Sequence, residues 1–148
     1  MKTPHGLLEI KLEFGDAKDP NFERDQLARI ELPYPLIYDG TLVHRTRCHK
    51  KLVEKFLWVF EQIQAAGLED ECKNYGGIYN NRSVRGGLRP STHSWGIAID
   101  LEPQKYPLGS TARMPDPVVA IWRAAGFAYG GDFAHRPDPM HFQFATGY

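Results

Sequence analysis

Cysteine is scarce in this sequence. Cys48 and Cys72 are the only two, and they form neither a CxxC pair nor a dense framework. That excludes a disulfide-stapled scaffold and a cysteine-based structural zinc site, and it predicts two free thiols. Long apolar runs are also missing. No stretch approaches the roughly 18 apolar residues of a membrane-spanning helix. The opening "MKTPHGLLEIKLEF" is interrupted by Glu9, Lys11 and Glu13, so it lacks the apolar centre of a signal peptide. The expectation is a chain made in the cytoplasm without an export signal and not inserted in a membrane. Charge of one sign is not in excess either. The formal net charge is zero, and no run of five like charges occurs. This argues against nucleic acid as a partner, because non-specific binding to it depends on basic patches.

What is present fits one domain over residues 1–148. A chain of this length buries roughly 68–70% of its unfolded surface and needs no staples. Leu8, Ile10, Leu12 and Phe14 alternate with charged residues, which predicts a half-buried strand. A loop is expected over "GDAKDPNFERDQ", and extended chain over "LPYPLIYDG", where Pro33 and Pro35 disfavour helix in the residue before them. From Lys50 to Ala66, Leu52, Val53, Phe56, Leu57, Phe60 and Ile63 recur at helical spacing, with Gly67 as the stop and Trp58 adding bulk to the core. "MPDPVVAIWRAAGF" predicts a shorter helix capped by Asp116, with Pro117 in its first turn and Gly126 at its end. Two helices and several separated strands read as an α+β fold.

The chemistry concentrates in "STHSWGIAIDL" and "DPMHFQF". In the first, Ile97, Ile99 and Leu101 share one face of a strand, leaving Ala98 and Asp100 on the other. In the second, Met140, Phe142 and Phe144 take the apolar face, and His141 and Gln143 the opposite one. If the two strands are neighbours, Asp100 and His141 share a surface, and His93 reaches it across the turn at Gly96. Three ligands with a fourth position open to water is the layout of a catalytic zinc site, although a His₂Asp set suits other divalent ions too. Asp138, three residues before His141, is the candidate general base. Arg82 and Arg85, in "NNRSVRGG", are candidates to face the carbonyl oxygen as charge develops on it. His5, His44 and His49 read as structural or solvated, and His135 is near enough to the site to be a substrate contact. Arg89 reads as a solvated loop charge. A serine or cysteine hydrolase is excluded by the lack of a nucleophile elbow around Ser91 and by Cys48 having only a sequential partner in His49.

"STHSWGIAID" resembles the S-x-H-x-x-G-x-A-x-D motif of the zinc D-alanyl-D-alanine carboxypeptidases and L-alanyl-D-glutamate endopeptidases, a family that includes vancomycin-resistance dipeptidases and phage endolysins. "YGGDF" followed by "DPMHF" is similar to its second block, and "YNNRSVRGG" to the arginine-bearing loop of its endolysin-like branch. The resemblance covers about residues 32–148. It implies one zinc ion per chain on His93, Asp100 and His141, with Asp138 as base and Arg82 or Arg85 polarising the scissile carbonyl. It makes Ser91, Trp95, Tyr129 and Asp132 candidate substrate-binding residues. The implied fold is a small antiparallel sheet with the zinc site on one face and helices on the other, similar to the hedgehog signalling domain and the D,D-peptidases. The implied activity is hydrolysis of peptidoglycan stem peptides by a monomeric enzyme. An L-Ala–D-Glu endopeptidase of endolysin type, acting on the wall after release through a membrane pore, is the leading expectation. The alternatives are a D-alanyl-D-alanine carboxypeptidase and a non-catalytic, zinc-stabilised wall-binding module.

Overall fold

A computed structural model describes residues 1–148. Two antiparallel sheets and four α-helices make an α+β fold. The first helix, α1 (Gly6–Phe14), stands where alternation predicts a strand. Both periods fit that segment, and burial decides between them. Ile10 and Phe14, four apart on one helical face, are in the core, while Leu8 and Leu12 are 71% and 77% exposed. The expected loop that follows contains a short helix, α2 (Phe22–Gln26).

Strands β1 (Leu27–Tyr38) and β2 (Thr41–His49) form a hairpin. Its turn, Asp39-Gly40, has positive φ at both residues, the geometry that suits the twist of two-residue hairpins. The ladder breaks between Glu31 and Leu36, where Pro33 and Pro35 have no N–H to donate. β2 was not expected from the sequence. Its central residues are polar and exposed, so it carries no apolar alternation.

Helix α3 (Val53–Ala65) follows the expected span closely and ends before Gly67. Its buried face is Phe56, Val59, Phe60 and Ile63; Trp58 is exposed, contrary to its expected place in the core. The second sheet has the order β3-β4-β6-β5, from β3 (Tyr75–Gly77), β4 (Ala98–Leu101), β5 (Ala128–Tyr129) and β6 (His141–Gln143). Helix α4 (Asp116–Ala124) covers one face of this sheet. Trp122 stacks on Phe142 with ring centres 5.0 Å apart and meets Phe56 and Phe60 of α3 edge-on. Asp116 does not cap α4. It occupies the first helical turn, Pro115 takes the cap position, and no side chain accepts from the helix N-terminus.

Both cysteines are free and buried. Burial pushes each thiol up to about 12. His49 is also fully buried: its Nε2 lies 3.1 Å from the Phe14 carbonyl, and its Nδ1 accepts from Lys51 N–H at 3.2 Å. Burial lowers its pKa to about 4 against the usual 6.5, the Phe14 bond offsetting only part of that. The unfolded chain therefore binds this proton first, and stability falls as pH drops from 6.5 towards 4. We expect His49 to contribute up to about 3 kcal/mol of acid sensitivity across that window. Urea unfolding at successive pH values should show a shallower loss for His49→Gln, and an unchanged slope would remove His49 as the cause.

Candidate metal centre

The second sheet leaves its other face open, and the pairing of β4 with β6 sets Asp100 directly opposite His141. Alternation along both strands turns their apolar neighbours into the core and these two side chains out. His93 arrives from the 3₁₀ turn Thr92–Trp95. Ser91 caps that turn by accepting from His93 N–H at 3.3 Å. Gly96 closes it with φ 67°, and a Cβ there would come within 2.9 Å of the His49 backbone nitrogen. The turn is thereby pressed against the end of β2, and its direction into the site is fixed.

One potential ligand atom from each of His93, Asp100 and His141 lies within 4.8 Å of the others. Each histidine has an inner nitrogen facing Asp100 and an outer nitrogen facing an oxygen. His93 Nδ1 is 2.8 Å from the Ile78 carbonyl, and its Nε2 is 3.2 Å from Asp100 Oδ2 without hydrogen-bond geometry. His141 Nδ1 is 2.9 Å from Asp100 Oδ1, and its Nε2 is 2.9 Å from Gln143 Oε1. Thr92 donates to the same Gln143 oxygen at 3.1 Å. An acceptor on each outer nitrogen places the proton there and leaves the inner lone pair free, the tautomer a metal requires. Burial would raise the pKa of Asp100, but the hydrogen bond from His141 and the closeness of both histidines outweigh it and hold the carboxyl ionised well below the usual range. Burial likewise opposes a proton on His141, yet the Asp100 bond raises its pKa. A carboxylate set between two imidazole nitrogens, with the ligand atoms within 4.8 Å of one another, is a donor set that fits a divalent metal.

These residues line a cleft of about 780 Å³. Asp138 lines it too, with Oδ1 buried and without a hydrogen-bond partner. Burial raises its pKa, and the Asp100 charge adds to that against the opposing pull of His141, His93 and Arg85. The loop carrying Asp138 is held by Asp138 N–H donating to the Gly130 carbonyl at 2.8 Å. No side chain fits at Gly130, where a Cβ would meet the Asp138 carbonyl at 2.3 Å and His141 Cβ at 3.0 Å.

The remaining candidates divide by geometry. Arg82 and Arg85 both line the cleft, and the charge of Arg85 is among those that lower the Asp138 pKa. Asp132 is at the rim, bound by Arg113 and Arg123. Tyr129 borders the cleft, but its hydroxyl is committed, accepting from Met114 N–H and donating to the Pro139 carbonyl. The Ser91 hydroxyl is occupied in the cap. Trp95 does not line the cleft. It is fully buried, donates to the Gly15 carbonyl at 2.9 Å and packs edge-on to Tyr148, so the expectation that it contacts substrate is corrected to a packing role. Sequence reasoning assigned nothing to Thr92 and Gln143, although alternation puts Gln143 on the face of His141.

Residues 85–144 match the family described as D-alanyl-D-alanine carboxypeptidase. Over those residues, 60 of the 148, the chain is similar to a family of zinc-dependent peptidases. The matched span takes in His93, Asp100, Asp138 and His141 and begins at Arg85. No curated protein and no solved structure gives a significant match.

For a metal centre of this geometry, removing the oxygen behind His141 should weaken metal binding. We expect Gln143→Leu to lower zinc affinity about 10–100-fold in a chelator competition, and His93→Ala to abolish stoichiometric zinc by elemental analysis. Retention of full affinity by both variants would remove the site. Gly130→Ala should destabilise the fold by about 1–3 kcal/mol through overpacking, read as a lowered unfolding midpoint.

Proposed function

We propose that the chain is a single-domain, monomeric peptidase that hydrolyses the L-Ala–D-Glu bond of the peptidoglycan stem, using one zinc ion held by His93, Asp100 and His141. The observation that carries this reading is the unpartnered, buried Asp138 Oδ1 in the same cleft as the two histidines and Asp100. A zinc ion there would supply Lewis acidity, polarising an amide carbonyl and acidifying a water molecule to a pKa of about 7.

Asp138 takes the proton of the attacking water on its free oxygen and delivers it to the leaving amine. Its raised pKa suits the first transfer, because a carboxylate that holds a proton more firmly accepts it more readily from the water. Arg85 faces the developing charge on the carbonyl oxygen, and its influence on Asp138 favours it over Arg82. Thr92 and Gln143 keep His141 in one tautomer. Ser91, Tyr129 and Asp132 shape the cleft by holding its walls, Asp132 through Arg113 and Arg123. The fold is of the hedgehog and D,D-peptidase type.

The endopeptidase reading draws on the arginine-bearing loop, and with it goes a role on the cell wall after release from the cell. No helix is long and apolar enough to cross a membrane. A second reading, removal of terminal D-Ala, is favoured by the description of the matched family. Mass spectrometry of a muropeptide with an intact pentapeptide stem separates them. Chelator-sensitive cleavage between L-Ala and D-Glu is the expected result, and loss of one terminal alanine would establish the carboxypeptidase. No product from zinc-loaded protein would leave a wall-binding module. Asp138→Ala should keep its zinc and lose turnover by about 10²–10⁴-fold; hydrolysis at the wild-type rate would end its assignment as base.

A further inference from the structure

The arginines of this chain fall into two groups. Arg24, Arg29, Arg45, Arg47, Arg113 and Arg123 each lie 3.9 Å or less from a carboxylate oxygen. Arg82, Arg85, Arg89 and Arg136 have no carboxylate partner, and all of them line the metal cleft. In a chain of zero net charge, the uncompensated guanidinium groups are thus gathered at one place.

Three of them, Arg82, Arg89 and Arg136, are held there by neutral groups. The Arg89 guanidinium lies over the Tyr148 ring, 4.4 Å from its centre. Tyr148 is itself fixed, its hydroxyl donating to the Pro90 carbonyl at 2.5 Å. Arg136 crosses between two loops to donate to the Arg85 carbonyl at 2.8 Å. Arg82 donates to the Ser83 carbonyl at 3.2 Å. These contacts place the side chains without neutralising them, and like charges held near one another favour an anionic ligand. Of the three acids in the cleft, Asp132 is already shared by Arg113 and Arg123 and Asp100 by the two histidines, and Asp138 feels the charge of Arg85 without pairing with any of the four.

Resting on the proposed peptidase reading, we infer that Arg89 and Arg136 are specificity-determining residues that select a stem peptide with free carboxylates beside the scissile amide over the same peptide with carboxamides. A carboxylate accepts two parallel N–H bonds from a guanidinium. Amidation replaces one acceptor oxygen with an NH₂ donor, which faces the guanidinium donor to donor. In peptidoglycan the group concerned is the α-carboxylate of D-glutamate, either free or amidated to D-isoglutamine.

The test uses two synthetic stem peptides identical except at that group. Zinc-loaded wild-type protein is assayed for kcat/KM, and the zinc-loaded Asp138→Asn variant for binding by fluorescence anisotropy. We expect the free-carboxylate peptide to be preferred by about tenfold or more in both readouts, the scale of a charge-assisted hydrogen bond. Arg89→Gln and Arg136→Gln should each move that ratio towards one. Raising ionic strength from about 0.1 M to about 1 M, which shortens the Debye length from about 10 Å to about 3 Å, should also shrink it. Equal binding of the two peptides, no binding of either, or a preference that survives both substitutions would overturn the inference. Preferential binding without cleavage of either peptide would sustain it while ending the hydrolase reading.

Discussion

The pairing of β4 with β6 puts Asp100 opposite His141, and a slip of one residue would turn both side chains into the apolar layer. The same pairing places Phe142 against Trp122 and thus seats α4 on the back of the sheet. Core packing and site geometry are therefore one constraint read from two faces. The hydrophobic contacts behind the sheet resist the slip that would dismantle the candidate metal centre. Asp100, ionised and mostly buried, is tolerable only because two histidines face it. Its desolvation is offset by the groups that could share a metal with it.

Around this fixed centre the chemistry comes from loops. Asp138 sits on a segment tied to Gly130 and to the Tyr129 hydroxyl, so the candidate base is supported on two sides by backbone hydrogen bonds. The arginines come from the opposite wall and from the segment just before Asp138. Arg136 links those two segments through the Arg85 carbonyl. Sheet and 3₁₀ turn hold the three candidate ligands, while the loops carry the charge that faces the cleft.

The metal-site strands were legible because each has one packed face and one polar face, which is what alternation detects. α3 was legible for the corresponding reason at helical period. α1 was not, since Leu8, Ile10, Leu12 and Phe14 satisfy a strand as well as a helix, and only the core contacts of Ile10 and Phe14 separate the two. β2 lacks a buried face along most of its length, although the Asp39-Gly40 turn between β1 and β2 was a readable hairpin signal. Trp95 illustrates a further limit: it neighbours a ligand in sequence, yet the 3₁₀ turn sends it to Gly15 rather than into the cleft. The grouping of Arg82, Arg85, Arg89 and Arg136 could not be seen in one dimension, because what distinguishes them is that no carboxylate lies within ion-pair distance of them in space.

Cys48 and Cys72 are enclosed, with thiols held up to about 12. At neutral pH almost no thiolate exists at either position, and thiolate is the form that attacks oxidants, alkylating agents and other disulfides. The chain can thus meet reducing or oxidising surroundings without scrambling, cross-linking to neighbours or requiring a reductant.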